Sequence, residues 1–321
     1  MSRAFVFPGQ GAQTIGMGKA LAESCPAAKA VFEEVDEALG ERLSALIWEG
    51  DPETLTLTEN AQPALMATAL AAFRALESEG VTAGDAVFVA GHSLGEYSAL
   101  AAAGALSVAD TARLLRIRGR AMQEAVPVGV GAMAAILGLD LETVETVAAS
   151  AASQIASEKG DNPVCEVAND NDPGQVVVSG HKAAVERACV IAGERGAKRA
   201  VMLPVSAPFH CSLMKPAASV MAQALAEVDM SAPTVPLVAN YTARPVRDPA
   251  TIRCLLVEQV TGRVRWRESV QLMIADGVEE FWEIGPGKAL CGMIRRIDRS
   301  VACRAIGTPE DVTEAAEGMK G

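Results

Sequence analysis

The chain has 321 residues, of which 50% are hydrophobic and 21% charged; this balance predicts a sizeable core, in one large α/β domain or two unequal ones, and excludes a disordered chain. Its formal net charge of −12 argues against a general nucleic-acid-binding protein. The longest weakly polar run, residues 126–139, contains glycines and is shorter than the roughly 18 residues of a membrane helix, so we expect no association with a membrane.

The cysteines and the N-terminal segment predict the compartment. Seven cysteines form no CxxC pair and are odd in number, which is typical of reduced thiols in a cytoplasmic protein. The segment MSRAFVFPGQG lacks the layout of a signal peptide, and its short apolar part predicts a first strand. We therefore expect a soluble cytoplasmic protein.

Strands and helices alternate in the first part of the chain. A strand is predicted at residues 4–7, followed by a glycine-rich turn, helical segments and a helix over residues 64–78. A buried strand from residue 86, its own helix and a further helix from Ser107 come next. This alternation predicts an α/β body with a mainly parallel sheet and helices on both faces.

The middle of the chain follows a different order, β-α-β-β-α-β. The predicted strands are GAMAAILGL, VCEVAND, GQVVVSG and KRAVMLPV, and the helices are LETVETVAASAAS and HKAAVERACVIAGERG. This order is typical of ferredoxin-like folds. We predict a ferredoxin-like subdomain over residues 128–203, inserted in a body of residues 1–127 and 204–321. In the second part of the body, we expect a helix from Lys215, the strand PLVAN, a helix over 268–275 and the strand EEFWEIG.

The segment AVFVAGHSLG, followed by EYSALAAAGAL, has the pattern of a nucleophile elbow at Ser93. A buried strand leads into a tight turn, and a helix begins directly behind it. Gly91 and Gly95 allow the close approach of strand and helix, because neither has a Cβ atom. The first N–H groups of the helix then point toward negative charge forming beside Ser93. The alternative is a Gly-Ser-Gly loop that follows a strand without catalytic meaning.

A serine hydroxyl needs a base, and the chain has three histidines. His92 adjoins Ser93 on the turn, where neighbouring side chains diverge, so we expect a structural role. His181 opens a predicted helix and is typical of a surface or capping residue. His210 lies in PVSAPFHC, where the chain returns to the body, and loops at strand ends collect catalytic groups. Elimination favours His210 as the base; the alternative is a packed core histidine. No acid is identified to orient it, so a Ser–His dyad oriented by a backbone carbonyl is a further possibility.

One arginine lies on the wrong side of its predicted helix. The segment SVADTARLLRIRGRAMQEA begins with a capping box at Ser107. At about 100° per residue, Arg113, Arg116 and Arg120 share a solvated side, whereas Arg118 projects from the edge of the apolar stripe. A buried guanidinium needs a partner. Arg118 therefore has either a buried acidic partner or a bound anion, such as a substrate carboxylate held by two hydrogen bonds.

The glycine-rich turns give weaker signals. FPGQGAQ follows the first strand but lacks the GK[ST] of a phosphate loop and does not match GxGxxG. This loop is suited to presenting a backbone N–H to an oxyanion beside Ser93. GPG at 285–287 predicts a tight turn. No spacing typical of a zinc or calcium site is present, so we expect no metal.

Together these residues resemble a known family. The segments FPGQGAQ, ENAQPAL, GHSLGEYSAL, DPGQVVVSG, PVSAPFH and EIGPGKAL, with Arg118 between the third and fourth, occur in the order typical of malonyl-CoA:acyl-carrier-protein transacylases. The similarity covers nearly the whole chain. It implies an α/β-hydrolase-like parallel-sheet body with an inserted ferredoxin-like subdomain, which agrees with the fold predicted above.

The resemblance also implies roles for individual residues. Ser93 is the nucleophile that carries malonyl as an ester, His210 its base and Arg118 the cation that binds the malonyl carboxylate. The backbone N–H groups of Gln10 and Leu94 form the oxyanion hole. The remaining implications concern the acyl pocket and the orientation of the base: Gln62 lines the pocket, a main-chain carbonyl near Arg265 orients His210, and Leu94 and Phe209 are typical of malonyl-preferring members.

The implied reaction needs no cofactor, because malonyl-CoA is the substrate and the phosphopantetheine thiol of an acyl carrier protein is the acceptor. The implied pathway is fatty acid synthesis. We expect a monomer that docks its acidic carrier on a basic patch of Lys182, Arg187, Lys198 and Arg199. Three alternatives are a serine esterase or thioesterase on the same elbow, a non-catalytic carrier-binding module and a methylmalonyl-selective transferase of a polyketide pathway.

Overall fold

A computed structural model describes residues 1–159, 162–205 and 207–320. The strands of these residues are, in chain order, β1 (Arg3–Phe7), β2 (Phe88–Gly91), β3 (Gly131–Leu137), β4 (Cys165–Asp172), β5 (Gln175–His181), β6 (Arg199–Met202), β7 (Leu237–Ala239), β8 (Arg244–Val246), β9 (Glu280–Ile284) and β10 (Ala302–Ile306). The α-helices are α1 (Lys19–Ser24), α2 (Pro26–Leu39), α3 (Leu43–Glu49), α4 (Pro52–Thr56), α5 (Thr58–Ser78), α6 (Gly95–Ala102), α7 (Val108–Glu124), α8 (Leu141–Lys159), α9 (Lys182–Glu194), α10 (Lys215–Glu227), α11 (Pro249–Thr261), α12 (Trp266–Ala275), α13 (Ala289–Ile297) and α14 (Pro309–Lys320).

The larger sheet has six strands in the order β10-β9-β1-β2-β7-β8. All neighbouring pairs are parallel except β7 and β8. Ala4 and Val6 of β1 pack in one apolar cluster, and Phe5 and Phe7 pack in another. The alternating side chains of β1 thus enter cores on both faces, as expected for a parallel sheet covered by helices. The predicted α/β-hydrolase-like body is confirmed.

The second sheet is antiparallel, with the order β4-β5-β3-β6. Helices α8 and α9 pack together and contribute to a separate apolar core that includes Ile136, Val144, Val178 and Val185. With the chain order β-α-β-β-α-β, this arrangement confirms the predicted ferredoxin-like fold of the insert. The boundaries of the two parts, at residues 127/128 and 203/204, stay predictions.

Strand β4 holds the insert against the body. Asn169 forms an isolated parallel bridge with Val264, and two buried carboxylates beyond it bind arginines of the body. Asp170 pairs with Arg267 of α12 at 2.9 Å, and the next acidic side chain, Asp172, pairs with Arg296 of α13 at 2.7 Å. A backbone bridge and two ion pairs therefore connect β4 of the insert to the body.

Helix α11 was not predicted: no element was expected between the strand PLVAN and the helix over 268–275. The helix starts with a strong local signal. The Asp248 carboxylate accepts from the backbone N–H of Thr251 at 2.8 Å, and Pro249 occupies the first helical position, where its missing N–H costs nothing. Helices α13 and α14 and strand β10 were also not predicted.

One expectation about the cysteines is wrong. Cys291 of α13 and Cys303 of β10 are joined by a disulfide, so these two are not the reduced thiols that we expected. The spacing of the two residues in the sequence, 12 positions, gives no pairing signal. Their Cα atoms lie 5.5 Å apart because α13 packs back on β10.

No helix of the described residues is long and apolar enough to cross a membrane.

Candidate active site

Ser93 lies on a tight turn between the end of β2 and the start of α6. Its backbone adopts a φ of 55°, in the left-handed region that non-glycine residues rarely occupy. A Cβ on Gly91 would lie 1.9 Å from the carbonyl carbon of Gly95, and one on Gly95 would lie 2.3 Å from the carbonyl oxygen of Phe7. Both positions therefore require glycine, and the strand–turn–helix geometry is that of a nucleophile elbow.

Ser93 and His210 are in hydrogen-bond contact, with Oγ 2.7 Å from the ring nitrogen Nε2. The other ring nitrogen, Nδ1, lies 2.8 Å from the backbone carbonyl oxygen of Gln259. Because a carbonyl can only accept, Nδ1 of the neutral ring carries the proton and Nε2 accepts from the serine hydroxyl. This tautomer is the one that a general base needs.

The carbonyl that orients His210 is not the one expected near Arg265. The Arg265 carbonyl already accepts from the backbone N–H of Ser269 at 3.0 Å and from its hydroxyl at 2.9 Å, in the first turn of α12. Gln259 lies instead in the last turn of α11, where carbonyl groups have no partner within the helix. Its carbonyl is therefore available to His210, and the loose match to Arg265 is corrected.

Burial dominates the electrostatics of His210. The side chain is buried, and burial together with the nearby Arg118 charge lowers the pKa of His210 to about 3. The ring is therefore neutral at physiological pH and able to accept a proton. The side chains of the other two histidines have different partners: His92 Nε2 is 2.8 Å from Asn171 Oδ1, and His181 Nδ1 accepts from the backbone N–H of Val164 at 2.8 Å.

Arg118 is 1% exposed and reaches the nucleophile. Its Nη2 donates to Ser93 Oγ at 3.1 Å and to Gln259 Oε1 at 2.9 Å, and its Nη1 donates to Gln62 Oε1 at 2.7 Å. The guanidinium carbon lies 5.7 Å from the centroid of the Tyr97 ring. Among the described residues, no carboxylate forms an ion pair with Arg118. Its partners are neutral, so the observed contacts favour a bound anion over a buried acidic partner.

The remaining arginines of α7 follow the prediction only in part. Arg113 and Arg120 lie on the exposed side, as expected. Arg116 is 6% exposed, contrary to the predicted solvated face. It donates to the carbonyl of Glu59 at 2.7 Å and also contacts Glu41 and Asn60, because the start of α5 packs over this side of α7.

The loop after β1 lies directly against the elbow. A Cβ on Gly9 would lie 2.6 Å from the carbonyl oxygen of His92, and the Gln10 side chain is anchored by Thr58, whose hydroxyl donates to Oε1 at 2.8 Å. Within the described part of the chain, the backbone N–H groups of Gln10 and Leu94 donate to no protein group. The two N–H groups named as an oxyanion hole are thus free to bind an external acceptor.

Three further residues of this site were missed by sequence reasoning: Glu96, Asn240 and Gln259. Asn240 accepts from the backbone N–H of Ser93 at 2.7 Å and donates to the carbonyl of Gly91 at 2.6 Å. Its signal was a polar residue at the end of the predicted strand PLVAN, where parallel sheets place functional groups. The signal of Glu96 was a carboxylate in an otherwise apolar helix. Gln259 was missed together with α11.

Comparisons with known proteins all identify acyl-transferring enzymes as similar to this chain. The family model described as "Acyl transferase domain" matches residues 4–313. A malonyl CoA-acyl carrier protein transacylase of Bacillus subtilis (strain 168) is 48% identical over 317 residues, which cover 99% of this chain and 97% of the relative. The crystal structure of an acyl-carrier-protein-S-malonyltransferase from Bartonella henselae has a TM-score of 0.95 and 53% identity, with 100% of each chain covered.

A third similar structure contains a partner. It is a complex of a type II PKS acyl-carrier protein with its malonyl-transacylase, with a TM-score of 0.93 and 40% identity, covering 99% of this chain and 100% of that one. These relatives are named as malonyl transacylases or malonyltransferases, so the esterase and methylmalonyl alternatives are not favoured.

Proposed function

The chain belongs to the malonyl-CoA:acyl-carrier-protein transacylase family, and on that premise we propose that Ser93, His210 and Arg118 together transfer malonyl from malonyl-CoA to the phosphopantetheine thiol of an acyl carrier protein. The observation that carries this proposal is the environment of Arg118. A buried guanidinium with only neutral partners, 3.1 Å from the nucleophile, is suited to an acyl group that itself ends in a carboxylate.

The first half of the reaction forms an acyl-enzyme. His210 Nε2 takes the hydroxyl proton of Ser93, and Oγ attacks the thioester carbonyl of malonyl-CoA. The bond to sulfur then breaks, and the CoA thiolate leaves with the proton returned from His210. The carbonyl of Gln259 stabilises the imidazolium that forms between these two events, because it accepts from Nδ1.

The oxyanion of the tetrahedral intermediate needs donors that have no other partner. The backbone N–H groups of Gln10 and Leu94 meet this condition, and Leu94 directly follows the nucleophile at the start of α6, where the helix dipole favours negative charge. Backbone donors are also already in place before substrate arrives. We therefore assign these two groups to the oxyanion hole.

In the second half, the thiol of the carrier's phosphopantetheine arm attacks the malonyl ester on Ser93. His210 takes the thiol proton and returns it to Ser93 Oγ as the ester bond breaks. Arg118 holds the malonyl carboxylate in both halves, and Gln62 orients Arg118 at the wall of the acyl pocket through its Oε1. Charge-assisted hydrogen bonds contribute about 1.5–3 kcal/mol each, which is sufficient to favour malonyl over acetyl by orders of magnitude.

The carrier protein needs a basic docking surface, because carriers of this type are acidic and this chain has a net charge of −12. Lys198 and Arg199 on the insert are exposed and have no ion-pair partner within the described chain. Lys182 lies 4.0 Å from Glu186, and Arg187 donates to Gln154. We therefore assign the main docking charges to Lys198 and Arg199, with Lys182 and Arg187 at the margin.

The proposal also covers the cofactor requirement, the cellular location, the oligomeric state and the boundaries of the two parts. The reaction requires no cofactor, since the three side chains and two N–H groups supply the chemistry and malonyl-CoA is the substrate. We propose a cytoplasmic, monomeric enzyme of fatty acid synthesis, composed of a body of residues 1–127 and 204–321 and an insert of residues 128–203. Cell fractionation and sedimentation at several concentrations test the location and the oligomeric state.

The central experiment mixes the protein with malonyl-CoA in the absence of carrier, followed by digestion and mass spectrometry. We expect a malonyl adduct on the peptide containing Ser93, and none in the Ser93→Ala variant. Added carrier with a free phosphopantetheine thiol is expected to take the malonyl group. Absence of the adduct would contradict acyl transfer through Ser93, and release of malonate to water in the presence of carrier would identify a thioesterase instead.

A further inference from the structure

Glu96 is a buried carboxylate that the mechanism above does not use. It lies in the first turn of α6, three residues after the nucleophile, and its side chain is 1% exposed. Its Oε2 accepts from the backbone N–H of Asn240 at 3.1 Å and from Gln259 Nε2 at 2.8 Å. Its Oε1 is buried with no partner in the described chain. A carboxylate with one orphaned oxygen is costly to bury, so its presence next to the site needs a reason.

Gln259 connects this carboxylate to the catalytic groups. The nitrogen end of its side-chain amide donates to Glu96 at 2.8 Å and to the carbonyl oxygen of Ser93 at 3.0 Å, and the oxygen end accepts from Arg118 Nη2 at 2.9 Å. An amide can turn by 180° and exchange its two ends with little change in shape. In the turned orientation the NH₂ group of Gln259 would face the guanidinium, and Arg118 would lose an acceptor.

Two acceptors select one orientation. The Ser93 carbonyl has no hydrogen to donate, and Glu96 Oε2 is held as an acceptor because it also accepts from the backbone N–H of Asn240. The nitrogen end of Gln259 therefore faces Glu96 and Ser93, and its oxygen end faces Arg118. Burial raises the pKa of Glu96 to about 7, and the charge of its ionised form favours the Arg118 cation without occupying the Nη atom that donates to Ser93. Glu96 and Arg118 do not touch as an ion pair within the described residues.

We infer that Glu96 is a positioning residue that, together with the Ser93 carbonyl, fixes the amide of Gln259 and thereby holds Arg118 oriented for the carboxylate of the acyl group. This inference rests on the proposed function, because it assigns to Glu96 a part in selecting malonyl over uncharged acyl groups. Gln259 then has two separate roles: its main-chain carbonyl accepts from His210, and its side chain accepts from Arg118.

The test is the Glu96→Leu variant, assayed with malonyl-CoA and acetyl-CoA. Leucine removes the acceptor that Glu96 presents to Asn240 and Gln259, so only the Ser93 carbonyl still binds the nitrogen end of that amide. We expect kcat/KM for malonyl-CoA to fall about tenfold or more, mainly through KM, from the weakening of charge-assisted bonds at Arg118. Acetyl transfer has no carboxylate to bind, and we expect it to change by less than about threefold. Equal losses on both substrates, or no loss on either, would overturn the inference.

A second variant keeps the inference testable if Glu96→Leu does not fold. Gln259→Leu removes the amide and leaves the backbone carbonyl that accepts from His210. We expect the same selective loss of malonyl transfer, and no further loss of selectivity in the double variant, because both changes break one connection. A Gln259→Leu enzyme that kept wild-type malonyl selectivity would overturn the inference.

The matched control is Glu283→Leu, which replaces another fully buried carboxylate. Glu283 accepts from the backbone N–H groups of Leu290 and Cys291 at 3.0 and 2.7 Å and contacts none of the catalytic groups. We expect lower stability with unchanged selectivity. The malonyl adduct on Ser93 of the wild-type protein distinguishes the two proposals. Its absence would contradict malonyl transfer through Ser93. Its presence, with unchanged malonyl selectivity in the Glu96 and Gln259 variants, would contradict only the role of Glu96.

Discussion

Both members of the catalytic pair have strained backbones. Ser93 and His210 adopt φ values of 55° and 57°, in a region that costs roughly 1–2 kcal/mol for an L-residue. Two surrounding bonds maintain this strain: Asn240 accepts from the backbone N–H of Ser93 at 2.7 Å, and the Gln259 carbonyl binds the His210 ring at 2.8 Å. The geometry of the dyad is thus imposed by neutral amide groups, and no acidic third member is required.

The Arg118→Ala variant tests the role of the buried cation. Loss of the guanidinium removes up to two charge-assisted bonds to the acyl carboxylate, so we expect kcat/KM for malonyl-CoA to fall by about 100-fold or more. Acetyl transfer is expected to fall much less. Arg116→Ala is the matched control, because Arg116 is also buried on α7 but contacts α5. If malonyl and acetyl transfer declined equally, Arg118 would be a structural residue.

His210 makes stability depend on pH. Its pKa is about 3 in the folded protein and about 6.5 in the unfolded chain, so between these values the unfolded state binds more protons and stability falls as pH falls. Between pH 7 and pH 5 this group is expected to remove about 2 kcal/mol. Urea unfolding of wild type and His210→Gln at both pH values measures the difference.

The comparison of wild type with His210→Gln needs a control for the loss of an imidazole ring, independent of its position. His181→Gln removes a ring that accepts from a backbone N–H of the insert and is not bonded to Ser93, so its change in stability at pH 7 measures the effect of losing an imidazole alone. If His210→Gln lost as much stability as the wild type between pH 7 and pH 5, the pKa of His210 in the folded protein would not be depressed.

At the scale of elements, the elbow depends on the direct contact of β1, β2 and α6. Gly95→Ala places a methyl group 2.3 Å from the backbone carbonyl oxygen of Phe7, and backbone atoms of a central strand cannot move aside. We expect a loss of at least about 2 kcal/mol in the free energy of unfolding, together with loss of Ser93 acylation. Gly193→Ala in α9 meets nothing within 4 Å and is expected to stabilise the protein by up to about 1 kcal/mol. Thermal and urea unfolding measure the stability of the two variants. If Gly95→Ala were as stable as Gly193→Ala, the elbow would tolerate a Cβ at position 95.

Much of the fold was predictable because periodicity and glycine spacing are local signals. The elbow at Ser93 and the insert pattern are encoded in short segments, and helix α7 has its predicted cap at Ser107. The contacts of Arg118 were predictable only as a choice between two kinds of partner, since helical periodicity gives the direction of a side chain but not what it meets. The loop that brings His210 to Ser93 was inferred by elimination among three histidines, not from any local pattern.

The part that sequence reasoning missed is the amide network behind the nucleophile. Gln259 and Asn240 come from α11 and from the end of β7, 166 and 147 positions beyond Ser93, and glutamine and asparagine are ordinary residues for a protein surface. Their function depends on complete burial, which only the packing of α11 against the elbow produces. The correction from Arg265 to Gln259 has the same origin, because a free carbonyl is recognisable only once the end of its helix is known.

At the scale of the whole molecule, the active site lies beside the contact between body and insert. His92 follows β2 in the body and is joined to Asn171 of β4 at 2.8 Å. Beyond it, the Asp170–Arg267 and Asp172–Arg296 pairs fasten the same strand to α12 and α13. A carrier protein bound to the insert is therefore held at a fixed position relative to Ser93, which suits delivery of a long thiol arm into the site.

The net charge makes this docking a question of local electrostatics. An acidic chain repels an acidic carrier at long range, so productive encounters depend on the exposed Lys198 and Arg199 overcoming that repulsion within about 10 Å. Reversing both charges, as Lys198→Glu with Arg199→Glu, is expected to raise KM for the carrier about tenfold at low salt and to leave malonylation of Ser93 by malonyl-CoA within about twofold. The matched control, Lys19→Glu with Lys29→Glu on α1 and α2, makes the same change in net charge and is expected to have a much smaller effect. Equal increases in the two double variants would mean that total charge, and not a docking patch on the insert, governs the encounter with the carrier.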